Sequence, residues 1–246
     1  MSLRTREGAG LLLLAVALVC TIWLAATGKL TLYIHPRYTI FTVVMAAIAL
    51  VLTVAAVVAP RHEHGERPRR AGIIAVIALG VALATSAAML VVPPATLTTA
   101  TADQRELNST TIGANAQTLD SAAQQSGAAF ARFTVADWSS LLRQTTDPAF
   151  FDGKSVDVVG FITRSDDDPE NLYYVSRFIV TCCAVDAQPV GVPVYQPGWA
   201  GSLTEGDWVR VTGQFGTSPS SAGGPSIVLA PDTTESVEEP SEPYLY

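Results

Sequence analysis

Charge and catalytic side chains are what this sequence has least of. Only 15% of its 246 residues are charged, and it holds three histidines and three cysteines. His35, His62 and His64 all fall in the first 64 residues. The rest of the chain therefore has no imidazole for general acid–base work. No serine stands in a nucleophile-elbow context. The Gly223-Gly224-Pro225 turn is followed by neither a lysine nor a helix, so it is not a phosphate cradle. Basic residues are also scarce where a soluble domain could form. Residues 93–246 carry seven of the fifteen Lys/Arg but nineteen of the twenty-two Asp/Glu. Nucleic-acid binding needs cations that displace counterions from phosphates, so that class is excluded as a partner. These absences predict a protein that is not an enzyme.

What the chain has in excess is long apolar runs at its N-terminal end. Three of them, about 9–27, 40–59 and 73–92, are near the ~20 residues that a membrane-spanning helix needs. The first follows Arg4 and Arg6, as a signal peptide would. Its length and the middling cleavage site Ala25-Ala26-Thr27 read as a retained anchor, with Cys20 as a packing residue inside it. Tyr33 and Tyr38 suit a membrane interface. His35-Pro36 between them marks a turn, with His35 as a cap. Arg4, Arg6, Arg61, Arg67, Arg69 and Arg70 fall on one side of the spans, against Lys29, Arg37 and Arg105 on the other. The positive-inside rule then sets the N-terminus in the cytoplasm and the C-terminal region outside it, in a multi-pass protein of the cell membrane. The loop His62-Glu63-His64 carries ligand types for zinc, nickel or copper. Two histidines in a basic loop fit a solvated surface better than a complete site.

Residues 93–130, rich in Ala, Thr, Ser, Gln and Asn, read as a flexible linker. Order is expected from 131 to 231. Thr134-Val135-Ala136-Asp137 forms a capping-box pattern, and Trp138, Leu141 and Leu142 share the face of a short helix that Pro148 ends. Five strands follow: Ser155 to Thr163, kinked at Gly160; Leu172 to Thr181; Pro189 to Tyr195; Gly206 to Phe215; and Ile227 to Ala230. Asp166-Asp167-Asp168-Pro169-Glu170 lacks the spacing and the glycine of a calcium loop and reads as a hairpin tip. Residues 232–246 read as an acidic disordered tail. One short helix and five short strands predict a small all-β domain of the OB type, a five-stranded barrel, behind a helical membrane region.

The most distinctive stretch is Arg177-Phe178-Ile179-Val180-Thr181-Cys182-Cys183-Ala184-Val185-Asp186. If the strand runs through it, Cys182 and Cys183 point to opposite faces. Four readings of the pair stand open. They are buried thiols, a vicinal disulfide in an oxidising compartment, soft-metal ligands with Asp186, or a reactive thiol whose pKa is lowered by Arg177. Zinc or another transition metal is the cofactor that such a set would take. Arg177, Cys182, Cys183 and Asp186 are thus the candidate site, with His62 and His64 as further candidate metal ligands.

The segment from Arg177 through Cys182-Cys183 and Asp186 to Pro189-Val190-Gly191 resembles the signature of the YcgQ-like family of bacterial membrane proteins. The connector Tyr33-Ile34-His35-Pro36-Arg37-Tyr38, the His-bearing loop and the strand from Gly153 to Phe161 are similar too. Two histidines stand in that loop where many relatives are His-rich, and Val185 stands where Ala is more usual. The resemblance implies a subunit that partners a separate multi-span permease of the YcgR-like or YraQ-like type, with a link to metal handling. The function expected is therefore an accessory subunit of a membrane transport complex. The alternatives are a stand-alone thiol-redox or metal-binding protein anchored in the bilayer, and a structural envelope scaffold.

Overall fold

A computed structural model describes residues 3–58, 77, 80, 81, 84, 96–109, 117–125 and 127–246. The chain forms two compact units, Met1–Ala95 and Thr96–Tyr246.

The first unit is helical. Helix α1 spans Leu3–Ala26 and α2 spans Thr39–Val58, and the two contact each other. Helix α1 ends because Gly28 turns the chain at φ 74°, a left-handed conformation that costs glycine nothing. Two 3-10 turns, Lys29–Leu32 and Pro36–Tyr38, lead into α2. His35 caps the second: its Nδ1 accepts from the Arg37 backbone N–H at 3.1 Å. Among the described residues, one helical stretch, Pro36–Val57, is long and apolar enough to cross a membrane, and Gly10–Ala26 is a shorter apolar one. A helical N-terminal region is thus what the described residues show of the expected three spans. The run 73–92 lies almost wholly outside the described residues. Helix α2 turns large apolar side chains outward, among them Ile40, Phe41, Val51 and Leu52.

The second unit is built on a six-stranded sheet. Its strands are β1 (Ser155–Arg164), β2 (Leu172–Ile179), β3 (Gln188–Tyr195), β4 (Trp208–Thr217), β5 (Ile227–Ser236) and β6 (Tyr244–Leu245). The order is β1-β4-β5-β3-β2-β6, and β1 also pairs with β2. Strands β1, β4, β5, β3 and β2 therefore close into a ring. All neighbours in it are antiparallel except β3 and β5, which meet in parallel at Val194 and Leu229.

Closure depends on β1 pairing with β4 up to Phe161 and with β2 from Phe161 onward. Gly160 sits at that change of partner, where a Cβ would collide with the Ser176 carbonyl. Gly213 marks the register shift between β4 and β5, and a side chain there would strike the Ala230 carbonyl. The inward residues alternate as the sequence predicts: Val156, Val158 and Ile162 of β1 are at most 2% exposed.

One end of the ring is plugged by short helices. They are α4 (Leu119–Ala123), α5 (Gly127–Phe130), α6 (Val135–Gln144) and α7 (Pro148–Phe151), preceded by α3 (Thr99–Ala102). The capping box that starts α6 is present, with Asp137 accepting from the Thr134 N–H at 2.8 Å. Trp138 is fully buried, with Phe133 and Phe215 rings each 5.1 Å away. Such aromatic packing supplies much of a small core's apolar burial.

Two expectations are corrected. Residues 93–130 are not a flexible linker throughout. Asn108 donates from its side chain to the Gly191 carbonyl and accepts from the Gly191 N–H, while its own N–H donates to Pro189. Ala102 and Ala122 are buried. The described residues of this segment are held by contacts with the sheet rather than by a core of their own. The tail is not disordered either. Strand β5 continues past Pro231 to Ser236, and β6 pairs in parallel with Phe178 and Ile179 of β2. Buried Tyr244 accepts from the Leu97 N–H at 2.8 Å. The acidic composition of 232–246 concealed the one aromatic residue that anchors it. The Asp166–Asp168 tip is a hairpin end, as expected, but Asp168 is largely buried and accepts from Asn171 and Ser220, tying the 218–224 loop down.

Candidate functional site

Strand β2 ends at Ile179, three residues before Cys182, so the cysteines do not alternate across it. The chain then turns through a short 3-10 segment, Ala184–Asp186, before β3 begins. Asp186 organises this turn. One carboxylate oxygen accepts from the Thr181 N–H at 3.1 Å, and the other from those of Cys182 at 2.8 Å and Cys183 at 3.4 Å. The Asp186 N–H in turn donates to the Cys183 carbonyl at 3.0 Å. Wrapping the backbone round one carboxylate swings both thiols to the same side, with their Sγ atoms 3.6 Å apart. Both are free thiols, Cys182 exposed and Cys183 half-buried.

The electrostatics follow from the same carboxylate. The Cys182 thiol is pushed up to about 12, first by its hydrogen bond to Asp186 and then by Cys183. Burial works to raise the Asp186 carboxyl as well. The Cys182 thiol and the three backbone N–H groups outweigh it and hold that carboxyl below the usual range. At neutral pH the metal-free loop therefore holds the protonated Cys182 thiol against the Asp186 carboxylate.

Ligand atoms of Cys182, Cys183 and Asp186 all lie within 4.8 Å of one another, and among the described residues no fourth metal-ligating side chain joins them. A zinc ion held tetrahedrally at about 2.3 Å from sulfur would place two sulfurs about 3.8 Å apart. The 3.6 Å between these sulfurs is close to that edge, and the carboxylate lies near enough to complete a three-donor set of the right chemical types. Asp186 spends one lone pair on each of three backbone donors and one on the Cys182 thiol, and a carboxylate has about four such sites, so the site meant for an ion opens when that thiol gives up its proton.

Arg177 does not belong to this cluster. It is 8% exposed. It donates to the Val159 carbonyl at 3.3 Å and the Glu242 carbonyl at 2.7 Å, and lies 5.1 Å from the centre of the Trp208 ring. Burial works to lower its pKa against the opposing pull of Glu239, Glu242 and the C-terminal Tyr246. The charge held against Cys182 is the Asp186 carboxylate rather than the Arg177 guanidinium, and it favours the protonated thiol. His62 and His64 lie outside the described residues.

Sequence reasoning missed Arg105, which donates to the Val185 carbonyl at 3.1 Å and so holds the turn between Cys183 and Asp186. The available signal was its isolation, since it is the one basic residue between Pro93 and Ala131. Val185, at the tip of that turn, is 83% exposed.

Comparison with known proteins gives a family. The model of the DUF1980 N-terminal domain matches residues 10–108, and that of the DUF1980 C-terminal domain matches residues 110–246. No curated protein and no solved structure matches the chain. The boundary between the two matches falls just after Asn108, and the second match contains the whole cysteine turn. The chain belongs to the DUF1980 family.

Proposed function

We propose that this chain is an accessory subunit of a membrane transport complex whose C-terminal barrel captures a transition-metal ion, zinc being the first candidate. In this reading three helices, over about 9–27, 40–59 and 73–92, anchor it in the bilayer beside a multi-span permease. The N-terminus is cytoplasmic and the barrel extracytoplasmic. The barrel is of the OB type, which the ring order of its five strands and the parallel contact of β3 with β5 support. Fold does not fix function, and the acidic charge of the barrel half argues against the nucleic-acid role common among such barrels.

The observation that carries the reading is the convergence of the Cys182, Cys183 and Asp186 donor atoms within 4.8 Å. A buried thiol pair would not need Cys182 at the surface.

The test is metal content and free-thiol count of the full chain, purified from membranes without reductant or chelator. The expected result is close to one zinc or similar ion per chain, lost in the Cys182→Ser, Cys183→Ser double variant. A multi-span partner should co-purify with both proteins. Two free thiols with no metal would refute capture, and no free thiols with no metal would mean a vicinal disulfide and a redox role.

A further inference from the structure

We infer that the cysteine turn is a relay site, which holds its ion through three donors of this chain and passes it on by direct attack of a partner protein's thiolate or imidazole at the open fourth position. The inference rests on the metal-capture reading above and adds the manner of release and the chemistry of the acceptor.

Three features carry it. The donor set is incomplete: among the described residues Cys182, Cys183 and Asp186 have no fourth ligand beside them. Structural zinc sites close all four positions with protein ligands, whereas sites that exchange or react keep one open. The donors also reach the surface. Cys182 is exposed, and Val185, an apolar side chain at the very tip, is 83% exposed. An acceptor can thus approach Cys182 from solvent, past an apolar side chain.

The turn is, finally, held before any ion arrives. Asp186 gathers three backbone N–H groups, and Arg105 fixes the Val185 carbonyl. The ion is cargo, and loss of it need not unfold the turn. Donors held ready in this way bind without a large ordering cost, so affinity does not depend on closing around the ion.

The transfer balances simply. The incoming thiolates or neutral imidazoles give lone pairs to the ion one after another as Cys182, Cys183 and Asp186 let go in turn, and each freed thiolate takes a proton from water. The charge of the ion is unchanged and no oxidant is required. Soft sulfur or nitrogen donors are the acceptor chemistry that competes with two thiolates for such an ion.

The experiment loads the full chain, in detergent micelles, with one Cd²⁺ and mixes it with rising concentrations of dimercaptosuccinate, following loss of the protein's sulfur-to-cadmium absorption. The relay predicts a transfer rate that rises in proportion to acceptor over at least a tenfold range. A rate that ignores acceptor concentration, set by spontaneous release, would overturn the relay while leaving capture intact. Failure of the chain to retain Cd²⁺ at all would overturn both. A second readout is Co²⁺ in the same chain: added imidazole should shift its visible spectrum by filling the fourth position, and an unchanged spectrum would mean a closed site.

Discussion

Arg177 and Asp186 stand on either side of the cysteine pair, five residues before it and three after, and the fold puts them to unlike use. Asp186 turns inward to its own loop, collects three backbone N–H groups and brings the two sulfurs together. Arg177 turns away, is buried under the C-terminal segment and fastens it to the barrel wall. A charge next to a cysteine in sequence therefore says little about the charge next to it in space. The strand ends between them, and that end decides which one reaches the thiols.

The comparison makes separable predictions. Removing Arg177 should act on stability. Arg177→Ala leaves the Glu242 and Val159 carbonyls without their donor and strips the face of Trp208. A loss of about 2–4 kcal/mol is expected from an interaction of this kind, read as a fall in the denaturant midpoint of the full chain. If the midpoint moves by less than the scatter between preparations, the tail is held by something other than Arg177.

Removing the Asp186 charge should act on the thiol instead, with a smaller effect on the midpoint. Accepting a hydrogen bond from the thiol favours its protonated form, so the carboxylate raises the Cys182 pKa. Asp186→Asn should let it fall back from about 12 toward the ordinary thiol value. At fixed neutral pH the thiolate fraction then grows. Because Cys183 and burial also raise that pKa and remain in the variant, iodoacetamide should label Cys182 faster by a factor of roughly 40 at most, after allowing for the weaker nucleophilicity of a less basic thiolate. In the unaltered chain, labelling should stay slow at pH 7 and keep rising with pH well beyond 9. Equal labelling rates for the two proteins would mean that Asp186 does not face the thiol.

Much of the barrel was legible because its inward residues keep a period of two on β1 and its helix α6 carries a recognisable cap. The glycine at the β1 kink announced itself as well, since only a missing side chain permits the approach to Ser176. The segments misjudged were those whose order comes from elsewhere. Residues 96–108 and 232–246 are polar or acidic, and local composition describes what a segment can bury by itself. It does not register Asn108 matching both backbone groups of Gly191, or Tyr244 inserted beside β2. The donor residues of the site were legible by type. Their convergence was not, because it depends on β2 stopping at Ile179 and on one carboxylate reaching back over three N–H groups.

The most direct measurement is a Cd²⁺ titration of the full chain, followed by its ultraviolet sulfur-to-metal absorption and set beside the Cys182→Ser, Cys183→Ser double variant. The account predicts a band that saturates at one ion per chain, with an intensity of two thiolates per ion, and that is absent from the variant. A chain that develops no such band, or a variant that develops it equally, would contradict the assignment of Cys182, Cys183 and Asp186 as an ion-binding site.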